Sequence, residues 1–199
     1  MRKTILAIVF VLVTAACAVF VTANRVVGTD MAPSILEDDH VWMIPWGDPI
    51  PGDVVSLSDP LDPEKTILRR VIAIAGQSIT YDEDTIRVGN RRLRKQAMGD
   101  DGDHMVSQET LWAKKPNKGH SWLTRQIAHP ATHWAAEEIT IPENHVYLLA
   151  DDRDTPLDSR WWGTVPVSAL QGIVRIRWGT EHTWRPKIEW TVGTQPIRD

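Results

Sequence analysis

The chain has 199 residues, 42% hydrophobic and 24% charged, enough to bury one good core with room for a small extra lobe. Thirteen prolines and twelve glycines favour many short strands and turns over long helices. The formal charge is −4; without Arg2 and Lys3, 20 basic residues face 26 acidic ones, a balance of −6 that speaks against a nucleic-acid partner, because phosphate binding needs clustered cations. The single cysteine, Cys17, lies in the apolar N-terminus, so no intrachain disulfide can form.

Residues 5–23 carry no charge, and as a helix they would be roughly 28 Å long at about 1.5 Å per residue, near the thickness of a bilayer core. Arg2 and Lys3 before the run favour a cytoplasmic N-terminus, and Arg25 beyond it weakens that bias without reversing it. The expectation is a single-pass anchor, residues 1–24, in the cytoplasmic membrane. A cleaved secretory signal ending near Val21-Thr22-Ala23 is the alternative. A lipoprotein signal fits less well, because Thr14 stands where an apolar residue should precede Cys17. Each reading places residues 25–199 outside the cytoplasm.

Gly28 to Leu36 is rich in turn residues, and Val41 to Ile44 reads as a short strand. Pro49 to Asp53 is a turn, followed by a strand from Val54 to Leu57. Thr66 to Ala75, dense in branched apolar residues and ended by Gly76, is a strong strand candidate. Ile79 to Tyr81 and Thr85 to Val88, with Gly89-Asn90 after them, suggest a hairpin. Residues 94–137 are polar, with no sustained period, and read as an inserted lobe or long loop. Strand patterns return at Ile139–Ile141, Val146–Leu149 and Ile173–Trp178. The expected domain is all-β, with a core at 25–94 and 138–180, an insertion at 95–137 and a C-terminal tail at 181–199.

Three separated blocks carry a family resemblance. Gly28-Thr29-Asp30-Met31-Ala32-Pro33-Ser34 resembles the Ser-Met-x-Pro-Thr box of bacterial type I signal peptidases, with Asp30 on the nucleophile position. Pro51-Gly52-Asp53-Val54-Val55 with Leu68-Arg69-Arg70-Val71 resembles the Gly-Asp-x-Val strand and the Lys-Arg-Val segment, with Arg69 on the lysine. Ala150-Asp151-Asp152-Arg153-Asp154-Thr155-Pro156-Leu157-Asp158-Ser159-Arg160 resembles Gly-Asp-Asn-Arg-Asp-Asn-Ser-x-Asp-Ser-Arg. The order of the blocks behind one anchor matches as well.

The resemblance implies a mostly antiparallel β domain at the outer membrane face. Its groove would take the extended C-terminal region of a signal peptide by strand addition. Gly28, Thr29, Met31, Pro33, Leu68 and Val71 would flank that groove. Arg70 with Asp151, and Asp158 with Arg160, fall on positions that brace the catalytic loops; solvated loop charges are the bland alternative. The implied partners are exported preproteins or signal peptides, membrane lipid, and another secretion or assembly protein. No cofactor and no metal is expected.

The family mechanism uses a serine hydroxyl deprotonated by a lysine held neutral by burial. A guanidinium stays protonated and offers donors but no acceptor, so Arg69 cannot be that base. Asp30 attacking an amide would give an anhydride and expel a poor leaving group, so the expected arrangement is an Asp30–Arg69 ion pair. The serine that orients the lysine falls on Pro156, which has no hydroxyl, and Ala150 replaces a glycine. Ser34 and Lys65 each lie four residues from a lost partner, about 13 Å along a strand, too far to substitute. Ser159 survives without an assigned base. The expected protein is therefore a signal peptidase homologue that binds without cutting. A working peptidase with an altered mechanism is the enzyme-class alternative, and a paralogue with no selected role is a third.

Other signals have ordinary alternatives. Trp42, Trp46, Trp161 and Trp162 suit either lipid headgroups or plain packing. Residues 91–95 suit a solvated turn or a weak contact with anionic lipid. Asp151 to Asp154 resembles a phosphatase aspartate motif but lacks the α/β setting, and His129 and His133 flank Pro130, which spoils a helical zinc site.

Overall fold

The computed structural model describes residues 4–5, 8–9, 14, 23–45, 47–82, 85–112, 119–127, 138–155, 157–179, 187–189 and 195–196. The expected anchor, Trp46, Pro156, His129 and His133 lie wholly or almost wholly outside them. Among the described residues no helix is long and apolar enough to cross a membrane.

The strands in chain order are β1 (Asn24–Arg25), β2 (His40–Ile44), β3 (Val54–Ser58), β4 (Thr66–Ile74), β5 (Ser78–Asp82), β6 (Thr85–Val88), β7 (Arg91–Arg92) and β8 (Arg94–Asp101). There follow β9 (His104–Trp112), β10 (Gly119–Ile127), β11 (Ile139–Thr140), β12 (His145–Leu149), β13 (Val165–Pro166), β14 (Leu170–Gly179), β15 (Lys187–Glu189) and β16 (Gln195–Pro196). The main sheet runs β1-β2-β14-β3-β4-β12-β13, with β15 added on β14. Two smaller sheets, β16-β10-β9-β8 and β11-β5-β6-β7, complete the fold. Among the described residues the named strands pair antiparallel, and a single bridge, Arg125↔Asp152, is parallel.

The central strands read as near-continuous apolar runs because both faces of the main sheet are covered. Val71 and Leu148 point into one cluster with Val55, Leu57 and Ile173. Their neighbours Ile72, Tyr147 and Leu149 point into another, with Ile79, Leu111 and Trp122 from the smaller sheets. A third cluster seats the first sequence block: Met31 and Ile35 pack on Val41, Val54 and Val174.

The described residues 94–112 and 119–127 form a three-stranded meander, a lobe and not a long loop. Its pattern was hidden because the inward positions are polar: Ser107 and Glu109 on β9, Ser121 and Thr124 on β10, all buried, while Leu123 and Ile127 face out. Glu109 is paired with Arg153 and also accepts from Trp122 Nε1 at 3.2 Å. Residues 91–95 are likewise not a turn: they form β7 and the start of β8, with Leu93 buried between.

Two buried polar groups brace the core. Arg70 donates to both oxygens of Asp151 at 2.7 and 2.5 Å, and to the Gly52 carbonyl at 2.7 Å, with neither side chain exposed. Removing one member of such a pair strands a charge in the interior, at a cost of about 3–5 kcal/mol. Arg70→Ala should therefore lower unfolding stability by about that amount, and Arg70→Met with Asp151→Leu by less. Urea titrations in which the single variant matches the parent would contradict this.

The second brace is Tyr81, whose hydroxyl donates to that of Tyr147 at 3.1 Å. Burial, reinforced by Tyr147, pushes Tyr81 well above its ordinary 10.0, and burial raises Tyr147 as well. An unfolded chain ionises these phenols first, so the stability they contribute is complete below about pH 10 and is lost as pH rises through the raised folded values. The Tyr81→Phe, Tyr147→Phe double variant should show a shallower alkaline fall in urea midpoint. Identical slopes would refute it.

Candidate functional site

β4 is paired over its first part by β3, from Arg70↔Val54 to Thr66↔Ser58. On its other side the pairing with β12 stops at Arg70↔Leu149, so among the described residues Thr66 to Arg69 form an open edge. The direction of the main-chain groups follows from Val71, whose N–H donates to the Asp53 carbonyl and whose carbonyl accepts from Gly52 N–H, both at 2.8 Å on the β3 side. Strand alternation then turns the amides and carbonyls of Leu68 and Thr66 toward the open edge.

The first block lies against this edge. Gly28, at φ +94°, takes a backbone conformation that side-chain-bearing residues rarely adopt and starts the turn. Two turn bonds follow, Ala32 N–H to the Thr29 carbonyl at 2.9 Å and Ile35 N–H to the Met31 carbonyl at 2.8 Å. The Asp30 carbonyl accepts from Asp152 N–H at 2.9 Å, which ties the first block to the third.

Asp30 and Arg69 meet here. Arg69 Nη2 donates to Asp30 Oδ2 at 3.0 Å; the guanidinium is 1% exposed and the carboxylate 43%. Arg69 Nε donates to the Leu157 carbonyl at 2.9 Å and Nη1 to the Leu68 carbonyl at 2.6 Å. The cation also lies 6.0 Å from the ring centre of Trp162. One side chain thus wraps the open edge and holds all three sequence blocks. It supplies donors only, so the Arg69 side chain itself can take no proton from a hydroxyl.

A cleft of about 270 Å³ opens beside the pair, lined by Gly28, Asp30, Met31, Leu68 and Arg69 together with Val26, Val41 and Met43. Three residues expected along the groove do not line it. Val71 is fully buried in the cluster with Val55 and Leu148, because it lies past the point where β12 closes the edge. Thr29, exposed, and Pro33, half-buried, are not among the residues that line it.

Ser159 is also removed from it: its hydroxyl is buried and accepts from Leu148 N–H at 2.9 Å, fastening the short helical turn Ser159–Trp162 to β12. Ser34 donates to the Leu123 carbonyl at 2.9 Å, a bond to β10. Asp158 accepts from Ala150 N–H at 3.1 Å and from Arg160 Nη2 at 2.8 Å. Arg160 in turn donates to the carbonyls of Arg153 and Thr155.

Sequence reasoning missed further ion pairs, among them Arg125–Asp152, Arg153–Glu109, Arg177–Asp39 and Arg175–Asp53. Each of these joins residues distant in sequence, two of them through the segment read as an inserted lobe or long loop, so no local pattern marks them. His104, Asp152 and Asp154 bring ligand atoms within 4.8 Å of one another. Their carboxylates are already engaged, Asp152 by Arg125 at 2.8 Å and Asp154 by Ile127 N–H at 2.7 Å. Trp161 is 71% exposed, whereas Trp162 packs on the core beside Arg69.

Comparison with known proteins gives a consistent family. Signal peptidase I of Pseudomonas aeruginosa is 26% identical over 140 residues, covering 68% of this chain and 48% of its own. Signal peptidase I of Streptococcus pneumoniae is 26% identical over 165 residues, 77% of this chain and 79% of its own. The chain spans about half the length of the Pseudomonas relatives, 48% of the one and 40% of that from Pseudomonas fluorescens. A solved signal peptidase I from Enterococcus faecalis aligns with 64% of this chain and 97% of its own at 19% identity, with a TM-score of 0.40. A family model described as signal peptidase, peptidase S26, matches residues 1–179, and the chain belongs to that family.

Proposed function

We propose that this protein is an anchored, extracytoplasmic signal-peptidase homologue that binds the extended C-terminal region of signal peptides on exported preproteins and does not cut them. In this reading residues 1–24 hold it in the cytoplasmic membrane as a single span, with exposed Trp161 toward the lipid. A second secretion or assembly protein receives the bound preprotein. The observation that carries the reading is the Asp30–Arg69 contact at 3.0 Å, a donor-only cation on the position of the family's base and a carboxylate on that of its nucleophile.

The chemistry follows from the side chains. Arg69 accepts no proton, and among the described residues the hydrogen-bond partner of the Asp30 carboxylate is Arg69, a permanently charged group too weakly acidic to protonate an amine leaving group. Binding needs neither. Leu68 and Thr66 present main-chain groups to an added strand, and the apolar walls at Met31, Val41 and Met43 suit small side chains.

Purified full-length protein in detergent, given a preprotein, should yield no mature product above a mock-purified control, yet should retain signal-peptide analogues. Asp30→Ser, Arg69→Lys and Pro156→Ser, combined because such groups act as a unit, should raise cleavage above that background. Turnover by the parent protein that Asp30→Ala abolishes would defeat the proposal.

A further inference from the structure

Resting on that reading, we infer that Asp30 makes the cleft selective for extended peptides that bring a primary ammonium to it, from a chain N-terminus or a lysine side chain, and disfavours a free carboxyl terminus. The argument starts from the charges in the cleft. Two cations line it, Arg25 and Arg69, and both are paired. Arg25 holds Asp38 through Nε and Nη2 at 3.0 and 2.6 Å. Arg69 is 1% exposed and directs its donors to Asp30, Leu68 and Leu157. An anionic ligand end therefore finds no unpaired cation in the walls.

Asp30 differs. It is 43% exposed, and its Oδ2 takes the Arg69 bond while no described residue donates to Oδ1. Asp30 lines the cleft, so its carboxylate offers a ligand there one acceptor oxygen that Arg69 does not occupy. A ligand carboxylate placed there meets like charge; an ammonium gains a charge-assisted bond. The longer-range field has the same sign, since residues beyond the N-terminal pair carry 20 basic against 26 acidic side chains. A peptidase site must tolerate the carboxylate it creates on every turnover. This cleft has a fixed negative charge on the position where that group would form.

The test uses the full chain in detergent and four peptides of one extended, small-residue sequence: both ends capped, free N-terminal amine, one internal lysine, and free C-terminal carboxylate. Isothermal titration should find the capped peptide bound and the amine or lysine form roughly two- to five-fold tighter at low salt. The carboxylate form should bind more weakly than the capped one, and the spread should shrink as salt is raised. Whichever cationic peptide gains more identifies the source of the ammonium. Asp30→Asn with Arg69→Met, which removes both charges together, should abolish the discrimination. Equal binding of all four peptides, or a preference that persists in that double variant, overturns the inference and leaves the binding function standing. Failure of every peptide to bind overturns both. The salt dependence of the parent protein decides the matter if the double variant does not fold.

Discussion

A guanidinium buried at the open edge of β4 fixes the geometry of the segments around it. Burying such a charge costs several kcal/mol unless its donors are met, and Arg69 meets three oxygens from three separate segments: Asp30, Leu68 and Leu157. The planar, forked donor set explains why arginine suits this task where lysine would not. A compact ammonium could not hold the same three oxygens in one plane. The position where the family resemblance implies a proton acceptor is thereby occupied by a clamp, joining the first block, the open edge and the third block.

The third block works in the same way on a larger scale. Asp151 serves β4 through Arg70, Asp152 serves β10 through Arg125, and Arg153 serves β9 through Glu109. Main-chain bonds run alongside, with Arg125 N–H donating to the Asp151 carbonyl and Arg153 N–H to the Arg125 carbonyl. The loop is a charged wedge between the main sheet and the meander, and its bond from Asp152 N–H to the Asp30 carbonyl carries that rigidity to the cleft. Because each charge is desolvated, the wedge tolerates loss of a partner poorly. It supplies position more than net stability.

Much of this was legible in the residues themselves. The runs read at Thr66–Ala75 and Val146–Leu149 announce the central strands Thr66–Ile74 and His145–Leu149, because burial on both faces removes the polar alternation. The blocks around Asp30, Arg69 and Asp151 identify which side chains converge, and the Arg70–Asp151 and Arg160–Asp158 contacts follow from them. The meander was not legible, because its inward face carries Ser107, Glu109, Ser121 and Thr124, whose burial is made acceptable only by partners far away in sequence. The exclusion of Val71 from the cleft was equally hidden. It depends on where β12 ends against β4, a tertiary fact with no local signal.

The open edge itself carries a consequence of the clamp. The Leu68 carbonyl, turned outward by strand alternation, already accepts from Arg69 Nη1 at 2.6 Å. A peptide adding to this edge shares that oxygen's remaining lone pair or displaces a charge-assisted bond, and a displaced bond to a charged donor forfeits about 1.5–3 kcal/mol. Strand addition at Leu68 is therefore weaker than on an uncapped edge, and more of the affinity must come from the apolar walls and from Asp30. That balance suits an exchangeable complex. On the proposed reading, the clamp that stands in the place of a base also loosens the grip of the edge, so a ligand held there can still leave.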